Sequence, residues 1–209
     1  MSFPLRLITA RLESKNSFKI YSHPELRQRF QKTQPEAIPR LVKREFRNEE
    51  FPLAYLITFR GYGTWLHGDR RGSVDRFHNK FGAPRIPPNE RWHKYNRAAL
   101  KQKPFMMKSR HALTVEQAIR ETCKARKWDF WATNVRSNHV HTVVSASCEP
   151  EKVLAAFKAN ATRQLREKGL WGNRSPWVAR GSKRRLWTEQ DVINAVAYVE
   201  YDQGEPLYD

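Results

Sequence analysis

Cysteine is nearly missing from this chain. Cys123 and Cys148 are too few and too scattered for a disulfide framework or a four-cysteine zinc site, which points to a reduced, cytoplasmic setting. Long apolar runs are missing as well. The N-terminus has no signal-peptide core and no stretch could span a membrane, so no membrane partner is expected. Acidic residues are scarce: 21 Asp and Glu stand against 39 Lys and Arg, a net charge of +18. With a pI near 10.3, that imbalance calls for a polyanion, nucleic acid first among them, and a nucleoid-associated protein. No internal repeat is evident.

What the chain does contain suits one domain with an extension. Residues 1–50 are basic and interrupted by Pro4, Pro24, Pro35 and Pro39, which reads as an N-terminal extension. Residues 51–209 carry the rest. Ala54 to Phe59 reads as a strand and Leu66 to about Lys108 as a long irregular segment. Thr114 and Gln117 suggest a capping box opening a helix that ends near Lys127. Trp128 to Val135 is a second strand, paired through a turn at Ser137-Asn138 with a third. Pro150 starts a helix with Leu154, Phe157, Ala161 and Leu165 on its buried side. A short strand around Arg184 to Trp187 precedes a helix capped by Thr188 and stopped near Gly204-Glu205-Pro206. Strand, helix, two strands, helix, strand, helix predicts an α+β fold on one antiparallel sheet.

The third strand carries the chemistry. In Arg136-Ser137-Asn138-His139-Val140-His141 the two imidazoles are two residues apart, so on a strand they leave one face together. Paired neutral imidazoles make half of a divalent metal site. A tyrosine on the C-terminal helix, where Tyr198 and Tyr201 lie one turn apart, can face such a pair. That combination suggests metal-assisted phosphodiester cleavage through a covalent intermediate, since a phenol with a pKa near 10 needs help to attack. Arg136 and Asn138 are suited to hold a phosphate or a base edge. The basic, tryptophan-rich stretch from Trp171 to Trp187, with Trp177, Lys183, Arg184 and Arg185, suits backbone tracking and base stacking. Arg60, Lys158 and Arg163 join the DNA-binding candidates. A histidine-triad hydrolase would need a third histidine where Val143 stands. A non-catalytic, domesticated nucleic-acid-binding protein explains the charge equally, but leaves the histidine pair and tyrosine as coincidence.

Three motifs in order resemble the single-tyrosine HUH transposases, in particular the REP-associated tyrosine transposases. They are Thr58-Phe59-Arg60-Gly61-Tyr62-Gly63-Thr64-Trp65-Leu66-His67-Gly68-Asp69, Val135 to His141, and Ala197-Tyr198-Val199-Glu200-Tyr201-Asp202-Gln203-Gly204. The likeness runs from about Tyr55 to Pro206. It implies a ferredoxin or RNA-recognition type of sheet. His139 and His141 would then be the metal pair for Mg²⁺ or Mn²⁺, and Tyr198 the nucleophile. It further implies cleavage and joining of single-stranded DNA beside hairpins, with a 5′-phosphotyrosine, by a monomer or homodimer. Relatives often place Gln or Asn four residues after the tyrosine as a further ligand. Here that position is Asp202, with Gln203 one later and within reach if the helix end unwinds.

Overall fold

Alternation along Ala54–Gly61 (β1) sets the architecture. Tyr55, Ile57 and Phe59 are fully buried on one face, while Thr58 and Arg60 leave the other. The computed structural model describes residues 50–73, 84–203 and 207, all within one compact unit, Asn48–Asp209. The basic extension, apart from Glu50, and the Gly204 to Pro206 stop lie outside the described residues.

β1 lies between β3 (His139–Ser145) and β4 (Trp177–Leu186), and β2 (Asp129–Val135) forms the edge beyond β3. Every pairing is antiparallel. Four helices accompany the strands among the described residues: α1 (Glu90–Ala98) and α2 (Ser109–Arg126) before β2, α3 (Pro150–Glu167) before β4, and α4 (Glu189–Tyr201) after it. With α1 and α4 set aside, the order β-α-β-β-α-β and the sheet order β2-β3-β1-β4 define a ferredoxin-like α+β fold.

The two faces of the sheet have different work. Tyr55, Ile57, Phe59, Val135, Val140 and Val144 join one core with Ile119 of α2 and Phe157 and Leu165 of α3. Burying side chains of this size contributes roughly 1.5–3 kcal/mol each, so this face holds the domain together. α4 crosses the opposite face over β2 and β3. That leaves Thr58 and Arg60 of β1, which pair with the histidines, on their side together with Ser182 of β4, which pairs with Thr58, and Arg184 two residues on.

Three elements depart from the sequence expectation. α2 begins at Ser109, not at Thr114; its N-terminus is held by the Lys108 amide, which donates to His111 Nδ1 at 3.2 Å. The Thr114 hydroxyl is spent on the Arg110 carbonyl, a turn back inside the helix. α1, capped by the Asn89 side chain on the Trp92 amide, occupies part of the segment read as irregular. β4 spans ten residues rather than four. Its early half is irregular: Phe59 faces Gly181 but Gly61 faces Trp177, so carbonyls there lose ladder partners. The Lys158 ammonium, reaching from α3, collects those of Val178, Ala179 and Arg180 at 2.7, 3.1 and 3.2 Å. A group with three donors and no acceptor suits three stranded carbonyls.

Candidate active site

His139 and His141 lie on one face of β3 as strand alternation requires, their ring centroids 4.7 Å apart. Register puts Arg60 opposite His139, with Thr58 and Asn134 on either side of His141. The turn before β3 is pinned from β1. The Gly61 amide donates to the Asn138 carbonyl at 2.9 Å, and the Thr64 hydroxyl reaches the same oxygen at 3.3 Å. Position 61 must be glycine here, since a Cβ would come within 2.2 Å of the Phe105 carbonyl oxygen.

Both imidazoles are held by their Nδ1 atoms. His139 Nδ1 is 2.6 Å from Asn138 Oδ1, and His141 Nδ1 is 2.8 Å from Thr58 Oγ1. An amide oxygen only accepts, so Nδ1 of His139 carries the proton and Nε2 is the nitrogen whose lone pair faces a cation. Burial drives the His141 pKa down to about 4, with His139 adding to the effect. Burial also lowers that of His139. A hydrogen bond to Gln203 opposes this, and the charges of Arg136, Arg60 and Arg71 reinforce it. The pair is therefore neutral at ordinary pH, the state a metal ligand requires.

Tyr198 comes from α4. Its ring stands edge-on to His141 with centroids 5.4 Å apart, and the side chain is 39% exposed. The start of α4 is fixed by Thr188 and Asp191, which satisfy each other's amides. Its end is held by Asn134, whose amide donates to the Val199 carbonyl at 3.1 Å. Tyr201 hydrogen-bonds Glu200. The helix stops at Tyr201, so Asp202 becomes an exposed C-cap and Gln203 folds back. Gln203 donates to the Tyr198 carbonyl at 3.3 Å and bonds His139. Of the two candidate ligands, Gln203 is the one that meets His139. Among the described residues no three of His, Cys, Asp and Glu gather as a metal cluster, Asp202 included.

The donor set nevertheless fits a divalent ion. Two neutral imidazoles, each oriented through its other nitrogen by an oxygen partner, have the outer-shell pattern of ligating histidines. Gln203 adds an amide, and a tyrosine lies alongside.

The remaining DNA-binding candidates separate. Arg60 lies at the site. Burial and the charge of Arg71 lower its pKa. Asn138 holds a histidine ring. Arg136 starts the turn, and its charge reaches His139. Arg184 projects on the histidine side, 3.9 Å from Asp191. Lys183 and Arg185 point the other way, to Glu151 at 2.6 Å and Glu149 at 3.1 Å beside the start of α3. Arg163 lies on α3, across the sheet, bridged to Glu167 at 2.7 Å. Lys158 is committed to β4. Trp177 is only 4% exposed, edge-on to Phe59 and Phe105, with its N–H on Thr162. It is a core ring with no face for a base, and of the Trp171, Trp177 and Trp187 series only Trp187 is exposed. Thr58 and Asn134 belong to the site and escaped the sequence reading, because only cross-strand register reveals them.

The site thus joins a histidine pair on an antiparallel sheet to a helix-borne tyrosine beside it. Residues 96–197, just under half of the chain, are similar to the family described as "Transposase IS200 like". The match holds both histidines and ends one residue before Tyr198. Among solved structures, one described as a REP-associated tyrosine transposase bound to a REP hairpin is similar over 70% of this chain and 63% of its own, at 12% identity and a TM-score of 0.38. This chain thus spans less than two thirds of that protein. No curated protein matches the chain. Among the described residues no helix is long and apolar enough to cross a membrane.

Proposed function

We propose that the protein is a metal-dependent nuclease and strand transferase acting on single-stranded DNA beside hairpins, with Tyr198 as its nucleophile. The observation that carries this reading is the meeting of three side chains from two elements: His139, His141 and Tyr198, with ring centroids 4.7 and 5.4 Å apart. His139, His141 and Gln203 would hold Mg²⁺ or Mn²⁺, with phosphate and water oxygens filling the remaining positions. When bound, such an ion neutralises charge on the non-bridging phosphate oxygens.

The chain's own residues do the rest. Tyr198 Oη bonds to the scissile phosphorus as the bond to the 3′ oxygen breaks, and the exposed phenol gives its proton to solvent. The departing 3′ oxygen takes up a proton. The strand end is left as a 5′-phosphotyrosine, which conserves the broken bond for rejoining. Asn138 and Thr58 keep the imidazoles oriented, and Asn134 and Thr188 keep Tyr198 at its place on α4. Arg60, Arg136 and Arg184 supply positive charge on the same face. Incubating the protein with pooled hairpin-bearing strands and Mn²⁺, followed by denaturing electrophoresis, tests this. A slow-migrating adduct is expected, and it should vanish in Tyr198→Phe. Tight binding with no adduct in any metal would favour a non-catalytic DNA-binding protein instead.

A further inference from the structure

The loop after β1 holds a group of residues that the proposed chemistry does not use. Trp65 has φ of 51°, a left-handed conformation that a bulky side chain rarely adopts and that tends to persist at functional sites. Its indole N–H is fixed on the Gly72 carbonyl at 2.6 Å. Around that one ring stand three guanidinium groups: Arg71 at 4.9 Å, Arg85 at 5.2 Å and Arg60 at 5.4 Å from the centroid. Asp69 neutralises Arg71 through a bidentate pair at 2.7 and 2.8 Å. Among the described residues no carboxylate meets Arg60 or Arg85, and Arg85 donates to the Arg71 carbonyl at 3.2 Å.

We infer that Trp65, Arg60, Arg71 and Arg85 form an anion subsite beside the histidine pair, which holds one phosphate of a single strand next to the phosphate being cleaved. The subsite rests on the proposed function for the identity of the strand. Its position follows from register, since Arg60 is the cross-strand neighbour of His139 and its guanidinium extends from there to Trp65. The ligand is an anion and not a base, because guanidinium groups already crowd the indole. With Arg71 paired to Asp69, the like charges of Arg60 and Arg85 beside one ring still repel each other. A phosphate placed among them relieves that repulsion and takes planar N–H donors in pairs. The aromatic ring fixes the guanidinium planes in advance, so little rotamer freedom is lost on binding.

Methylphosphonate scanning tests the subsite by binding alone. A hairpin-bearing strand retained from the pool by the protein is made with one neutral linkage at a time, and its affinity is measured with Tyr198→Phe protein in Mn²⁺. One linkage next to the cleaved one should weaken binding roughly tenfold, the scale of a charged hydrogen bond. In protein that also carries Arg60→Gln, the all-phosphate strand should bind about tenfold more weakly, and that neutral linkage should then cost nothing further. Arg85→Gln, at an exposed residue, should reduce the same sensitivity if Arg60→Gln fails to fold. Penalties that multiply, or the absence of any sensitive linkage, overturn the subsite. An adduct from the unsubstituted protein with multiplying penalties leaves the covalent reading standing, while matched penalties without an adduct do the reverse.

Discussion

The Nδ1 atoms of His139 and His141 lie against Asn138 Oδ1 and Thr58 Oγ1, and those two contacts decide which nitrogens remain for a cation. Thr58→Val keeps the shape of the side chain and removes the oxygen. It should lower Mn²⁺ affinity about 10- to 100-fold, as read by titration calorimetry, with little change in thermal stability. Equal affinity would mean that the His141 ring is oriented by packing alone. Acid should act on the same residue. The His141 pKa falls from an ordinary 6.5 to about 4 in the fold, so between those values the unfolded chain binds a proton that the folded chain refuses. Stability is therefore complete above pH 6.5 and drains away as pH falls toward 4, by on the order of 3 kcal/mol. Urea unfolding in chelator should show this slope, and His141→Gln should flatten it. A parallel slope in the variant would assign the acid sensitivity elsewhere.

Among the elements, β4 shows most clearly what a sequence conceals. Lys183, Arg184 and Arg185 read as one basic run, yet strand alternation sends 183 and 185 to the glutamates near α3 and only 184 to the histidine side. Arg184→Ala should therefore weaken single-strand binding more than Lys183→Ala or Arg185→Ala, and its loss should reduce the salt slope by about one. Equal effects in a filter-binding titration would contradict this placement. Lys158→Met should cost about 1–3 kcal/mol by stranding carbonyls of β4, and chemical denaturation would measure it. The strands around the histidines, the Pro150 helix and the Thr188 cap were legible because alternation, helical spacing and caps are local signals. The start of α2 was not, since Thr114 and Gln117 carry the pattern of a capping box but lie inside the helix, where the Thr114 hydroxyl donates to the Arg110 carbonyl. Nor were the core position of Trp177 and the service of Lys158 to β4, because burial depends on partners far along the chain. Asp202 and Gln203 were both open, and the stop at Tyr201 brings the second of them to His139.

For the whole molecule, the sheet divides labour: one face is filled by α2 and α3, while the other carries α4, the histidines, Arg60 and Arg184. A net charge of +18 makes DNA affinity strongly salt-dependent whether or not catalysis follows, so affinity alone says little about the site. The central claim is that Tyr198, set beside a neutral histidine pair, becomes covalently joined to a DNA 5′ phosphate. Its most direct measurement is mass spectrometry of peptides from protein incubated with a hairpin-bearing strand and Mn²⁺. The nucleotide mass should sit on Tyr198, and be lost on chelation or in His139→Ala. The same mass on Tyr201, or unmodified Tyr198 in protein that has cleaved the strand, would contradict the account.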